Sequence, residues 1–234
     1  MGLSSILLKL SQTNELFHNL LGSRFKLYRK SYSQFGEDLQ ILSKVESFHD
    51  YYYIDIGAHH PIYYSNTYHL HALGMLGINV DGSKDCIKEF ERLRPESENL
   101  NILISDKEEE AIFYEFDRPT LNTLSEEMKV KALEDGAKIV SQQKMNSLSL
   151  KGVVEKYAPK NKKPFFLNVD VEGFDLQVLK TNDWEVFKPK LICIEDHDFV
   201  LEKPADSEIF SYLKDKGYNL FSKNGPSLIF ELSS

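Results

Sequence analysis

Three short strings constrain this chain more than anything else in it: Tyr53-Ile54-Asp55-Ile56-Gly57-Ala58, Gly77-Ile78-Asn79-Val80-Asp81-Gly82 and Leu167-Asn168-Val169-Asp170-Val171-Glu172-Gly173. Each is an apolar run that delivers a carboxylate and then breaks at a glycine. Buried parallel strands do this at the carboxyl edge of an open α/β sheet, where such folds bind ligands. Acids at three strand ends imply one cleft, and their spacing suits a nucleotide-like cofactor.

The rest of the chain reads as helices alternating with strands, which predicts a parallel sheet. Ser33-Gln34-Phe35-Gly36-Glu37-Asp38 offers a helix cap. Strands are expected at 51–56, 78–81, 100–104, 165–170 and 191–195, with an added strand at 111–116. Helices are expected at 66–76, 85–94, 149–157 and 207–216, the fourth strand being followed by a helix that begins at Asp175. The segments 218–221 and 227–232 read as a closing antiparallel pair. Between Asp117 and Asn146 the chain is polar, with charged helical turns and few anchoring residues, the pattern of a long loop or lid.

With 234 residues, 41% hydrophobic and 27% charged, the composition is that of one folded domain with a full core. A net charge of −8 argues against nucleic acid as the main partner. Cys86 and Cys193 are the only two cysteines, a lone distant pair without metal-ligand spacing, so buried thiols in a reducing cytoplasm are expected. No apolar run is long enough to span a bilayer. The stretch from Met1 to Leu21 lacks the marks of a signal peptide. Its apolar positions, such as Leu3, Ile6, Leu7 and Leu10, line a helix face for packing on the domain or on a second copy, which leaves a homo-oligomer open. The expected division is a helical extension over 1–30 and a main domain over 31–234.

A dinucleotide site needs G-x-G-x-x-G, whose second glycine lets the backbone approach a pyrophosphate. Here Gly57 is followed by Ala58, His59, His60 and Pro61, so bulky side chains stand where bare backbone is required. A cofactor without phosphates, positively charged and carrying a free amino acid end, fits better, and S-adenosylmethionine is one. Asp55 is then placed near its ammonium end, the Gly57-Ala58 turn close under it, and Asp81 on its ribose hydroxyls.

These residues carry a family resemblance. Ser33-Gln34-Phe35-Gly36-Glu37-Asp38, Asp55-Ile56-Gly57-Ala58, Ser65-Asn66-Thr67, Asp81, Ile104-Ser105-Asp106, Asn122-Thr123-Leu124-Ser125 and Asp170-Val171-Glu172-Gly173 together resemble the FkbM-type S-adenosylmethionine-dependent methyltransferases, from about Ser31 onward. The resemblance implies a class I methyltransferase, Rossmann-like α/β fold: a seven-stranded mostly parallel sheet with flanking helices. It also implies O-methylation of a small molecule, with a sugar or glycan precursor of surface polysaccharide or natural-product biosynthesis as the expected acceptor. Carried onto this sequence, the cofactor-binding residues are Gln34, Asp55, Gly57, Ala58, Asn66, Asp81, Ser83, Ser105, Asp106 and Asp170. Two departures stand out: His59-His60-Pro61 replaces asparagine, an apolar residue and glycine, and Asp81-Gly82 replaces Glu-Pro.

Methyl transfer to an alcohol is an in-line displacement that needs positioning and a proton acceptor. Asp170, Glu172 and His197 are the candidates, Asp170 foremost because it ends its strand. Asp170, Glu195 and Asp196 would also offer hard oxygen ligands to magnesium or manganese, and the need for a metal stays open. Competing readings are a nucleotide-sugar oxidoreductase or epimerase and a catalytically silent methyltransferase-like scaffold.

Overall fold

The computed structural model describes residues 29–106 and 109–233. Contacts divide the chain into two units, Met1–Ser31 and Tyr32–Ser234. The expected helical extension over 1–30 therefore falls almost wholly outside the described residues. Among those described, no helix is long and apolar enough to cross a membrane.

The second unit is built on the parallel strands β1 (Tyr51–Ile56), β2 (Leu76–Val80) and β3 (Glu98–Leu100), which step outward on one side. The helices α1 (Glu37–Leu42), α2 (Tyr68–Ala72) and α3 (Lys84–Leu93) lie between and before them. After a smaller sheet formed by β4 (Leu103–Ile104), β5 (Glu110–Phe116) and β6 (Ile139–Leu148), the chain returns to the other side of β1 as β7 (Lys163–Val169) and β8 (Leu191–Glu195). The closing hairpin is β9 (Tyr218–Asn224) and β10 (Ser227–Leu232). The main sheet runs β3-β2-β1-β7-β8-β10-β9, with β10 antiparallel to both its neighbours. This is the expected seven-stranded, mostly parallel Rossmann-like sheet. Its order reverses between β1 and β7, the switch point at which open α/β sheets form their ligand crevice.

Strand periodicity decides what each face buries. On one face Tyr52, Ile54, Ile56, Ile78, Val80, Leu167 and Val169 join the larger core. On the other, Tyr53 and Phe166 are apolar, but Asp55, Asn79 and Asn168 follow them in register toward the carboxyl edge. A buried polar layer therefore underlies the cleft.

Two expectations are corrected. The expected third strand over 100–104 is split: β3 stops at Leu100 and β4 pairs with β6 in the smaller sheet. The break is fixed by Asn101, whose Nδ2 donates to the carbonyls of Asp81 and Gly82 at 3.0 and 2.8 Å. The polar stretch 117–146 is no loop. It holds a 3-10 turn at Pro119–Leu121, the helix α4 (Glu126–Glu134) and most of β6, which pairs with β5 along its length. The helices α5 (Leu150–Tyr157), α6 (Asp175–Lys180) and α7 (Glu208–Asp215) fall where sequence placed them; α5 and α7 are capped by Ser149 and Ser207. Both cysteines are free thiols, Cys193 buried and Cys86 half-buried.

Candidate active site

The ends of β2, β1, β7 and β8 and the turn Pro119–Leu124 enclose a cleft of about 520 Å³, within the roughly 300–1,000 Å³ usual for small-molecule sites. Of the candidates named from sequence, Gln34, Asp55, Gly57, Ala58, Asn66, Asp81, Asp170, Glu172 and His197 line it. Ser83, Ser105 and Asp106 do not: Ser83 precedes α3, and Ser105 donates to Asp106 at 3.3 Å beyond β4.

Close approach at the switch point depends on Gly57. Its φ is +75°, and a Cβ there would lie 1.7 Å from the carbonyl oxygen of Asp170. Asp170 N–H in turn donates to Ile56 O at 3.0 Å. Gly82 has the same role toward the small sheet, since a Cβ would meet the Phe113 ring at 2.6 Å. That contact gives a physical reason for Asp81-Gly82, because Phe113 is part of the cleft wall.

Asp55 is buried under the cleft. Its carboxylate accepts from Thr67 Oγ1 at 2.6 Å and from Asn168 Nδ2 at 2.9 Å, and Asn66 Nδ2 donates to Asn168 Oδ1 at 2.9 Å. Burial pushes the carboxyl above its ordinary range, against the pull of Thr67, Arg94 and Asn168. Arg94 fills the polar layer and is fully buried. Its guanidinium donates to Tyr53 Oη at 2.8 Å, Thr67 Oγ1 at 2.9 Å, Ser65 Oγ at 3.0 Å and the carbonyl of Pro61, while Nε has no partner among the described residues. Gly77 makes room for this layer, since a Cβ there would lie 2.0 Å from the Tyr53 ring.

Asp81 accepts from His59 N–H at 2.9 Å and Ser83 N–H at 2.7 Å. Asp175 accepts from Val171 N–H at 3.1 Å and Gly173 N–H at 3.0 Å, closing the turn after β7. Gly57 and Ala58 N–H both donate to Val80 O. Six amides of the strand-end turns, of the kind a phosphate-binding α/β turn keeps free, are thus satisfied by the protein's own oxygens.

Asp170 and Glu172 differ from these acids. Each faces the cleft without a side-chain hydrogen bond to another described residue. Burial, then Glu195 and Glu172, hold the Asp170 carboxyl well above the carboxylate range. Burial, with Glu195 and Asp175, pushes Glu172 up to about 7. Glu172 also sits at φ +50°, a conformation rare outside glycine. Its carbonyl accepts from Thr123 Oγ1, and Met128 of α4 packs where a Cβ on Gly173 would stand. Glu195 meets the exposed His197 at 3.1 Å. Asp196 is turned away, accepting from Ser207 Oγ and Asp198 N–H. Unlike Asp170 and Glu195, it does not line the cleft. Among the described residues no three His, Cys, Asp or Glu side chains are grouped to hold a metal ion.

A family model, the methyltransferase FkbM domain, matches residues 55–220. The chain belongs to the FkbM methyltransferase family. The match begins at Asp55 and takes in Asp81, Asp170, Glu172 and His197. No curated protein and no solved structure matches the chain.

In this FkbM-family protein, sequence reasoning missed two parts of the site, Arg94 and Phe35, and the role of a third, His59. Arg94 reads as one more cation at a helix end, yet it ties the 61–67 turn to the sheet. Phe35 lies inside a motif noticed for its cap, yet it lines the cleft. His59 stands at φ +54° and contributes its backbone N–H to Asp81. His60, by contrast, closes its turn, Nδ1 accepting from Ile62 and Tyr63 N–H at 3.0 Å each.

Proposed function

We infer that the protein is an S-adenosylmethionine-dependent O-methyltransferase acting on a hydroxyl of a sugar or glycan precursor. One observation carries the reading. The cleft lies at the switch point, holds a ribose-type acid at the end of β2, and has the Gly57, Ala58, His59 and Ser83 amides already bonded to Val80 O and Asp81. That arrangement fits a phosphate-free cofactor and disfavours the nucleotide-sugar oxidoreductase alternative.

S-adenosylmethionine, when bound, supplies a methyl group on a positively charged sulfur. Asp81 would hold its ribose, since each oxygen of that carboxylate accepts one N–H and keeps a lone pair for another donor. Asp55, Asn66, Ala58 and Gln34 are the polar and close-approach residues for its amino acid end. The acidic lining suits a cationic ligand electrostatically. Asp170 takes the proton of the acceptor hydroxyl. A carboxyl whose proton affinity is raised by burial and like charge is a stronger base than an ordinary one. Glu172 lies next to it, its side chain likewise without a hydrogen bond to another described residue, and His197 stands at the exposed rim through Glu195.

Calorimetry with S-adenosylmethionine, S-adenosylhomocysteine and NAD tests the cofactor. Binding of the first two and not the third is expected; NAD binding in their place would refute the reading. A panel of sugar acceptors with labelled S-adenosylmethionine tests the acceptor class.

A further inference from the structure

The cleft restricts the acceptor further, provided that its reaction is methyl transfer to a sugar hydroxyl. Five carboxyl side chains line it (Asp55, Asp81, Asp170, Glu172 and Glu195), and among the described residues no lysine or arginine does. A phosphate placed there would meet no lysine or arginine among the described residues, and the amides of Gly57, Ala58, His59, Ser83, Val171 and Gly173 are already taken by Val80 O, Asp81 and Asp175. Like charges brought together inside a cleft are strongly unfavourable.

The same cleft offers apolar area in a specific form. Phe35 and Tyr64 line it while remaining 52% and 61% exposed. Both rings are held from behind. Phe35 N–H donates to Glu37 Oε2 at 2.8 Å, its carbonyl accepts from Asn224 Nδ2, and its ring occupies the space of an absent Cβ on Gly225. Tyr64 stands at φ +54°, a conformation that persists only where its surroundings impose it. Arg94 imposes it by gripping Pro61 O on one side of Tyr64 and Ser65 Oγ on the other. Of the other tyrosines in this stretch, Tyr63 turns to His60 and Tyr68 to Tyr32.

We propose that the acceptor is a phosphate-free sugar, neutral or amine-bearing, whose ring stacks on Phe35 and Tyr64, and that sugar phosphates and nucleotide-linked sugars are rejected. The C–H face of a pyranose suits an aromatic ring, and an amine gains further from the carboxyls and the π-faces.

The test uses the full chain and labelled S-adenosylmethionine with matched acceptors: methyl glucoside, methyl galactoside, glucosamine, their 6-phosphates and UDP-glucose. Calorimetry on the S-adenosylhomocysteine-loaded protein with glucose 6-phosphate, UDP-glucose and glucosamine runs beside it. Transfer to an unphosphorylated sugar is expected, with kcat/KM for its phosphate lower by about 100-fold or more. Phe35→Ala and Tyr64→Ala should each raise the acceptor KM about 10-fold with S-adenosylhomocysteine affinity unchanged. Methylation of a phosphorylated sugar as fast as its parent, or tighter binding of the phosphate than of the parent, overturns the proposal. If no sugar is methylated and the anions also fail to bind, the sugar reading falls while charge exclusion stands.

Discussion

Thr67 stands between Arg94 and Asp55: its hydroxyl accepts from Arg94 Nη1 at 2.9 Å and donates to Asp55 Oδ2 at 2.6 Å. The two charges of the buried polar layer are thus joined through one neutral side chain. Thr67→Val keeps the shape and removes the link. It should cost about 1.5–3 kcal/mol in urea unfolding, the range for hydrogen bonds to charged groups. Unchanged stability would mean that water or the Ser65 hydroxyl replaces the link.

Gly57→Ala places a methyl group on the Asp170 carbonyl and holds a left-handed backbone without glycine's freedom. A loss on the order of 2–4 kcal/mol is expected, with no cofactor binding in whatever folds. A variant that binds S-adenosylhomocysteine normally would show that the turn can move away from β7.

Asp81→Asn leaves one oxygen and loses the charge, so one of the two amides it holds goes unpaired. S-adenosylhomocysteine should bind about 10-fold or more weakly, from roughly 1–3 kcal/mol of lost hydrogen bonding. Equal affinity by calorimetry would remove Asp81 from the cofactor site.

Asp170→Asn preserves size and removes the base. Turnover should fall by roughly 10²–10⁴-fold while cofactor affinity stays close to that of the parent. Near-normal kcat would pass the role to Glu172 or His197, and Glu172→Gln and His197→Gln in the same assay decide between them.

Glu172 titrates at about 7 when folded, against an ordinary value of 4.5. Because the folded value is raised, the folded state holds a proton that the unfolded chain has already released between those two values. Stability therefore declines as pH rises from about 4.5 to 7 and stays lower above it. For this half-buried group the decline should be about 1–2 kcal/mol after screening by water. Glu172→Gln should flatten that part of the stability curve. Superimposable pH profiles for the two proteins would show that the carboxyl is solvated as in the unfolded chain.

Local patterns in the sequence determined the sheet. Apolar runs ending at Asp55, Asp81 and Asp170, the alternation with helices and the closing pair at 218–232 are short-range signals, and those strands formed close to where they lay, while the third, expected at 100–104, split between two sheets. The same strings placed Gly57, Asp81, Asp170 and Glu172 on one cleft, because a parallel strand carries its last residues to the same edge as its neighbours. What sequence left open depends on long-range contact. The segment 117–146 looked loop-like because β6 is largely exposed and gains its order from pairing with β5. Asp55 is engaged by Thr67 and by Asn168, 113 residues away, and Asp81 by His59, 22 residues away, whereas Asp175 is held by its own turn and Asp170 and Glu172 face the cleft. Arg94, Phe35 and Tyr64 acquire their places only when the turn at 61–67, the end of α3 and the β9–β10 turn meet around the sheet edge. Periodicity records which face a residue takes; which partner it finds there is decided by packing in three dimensions.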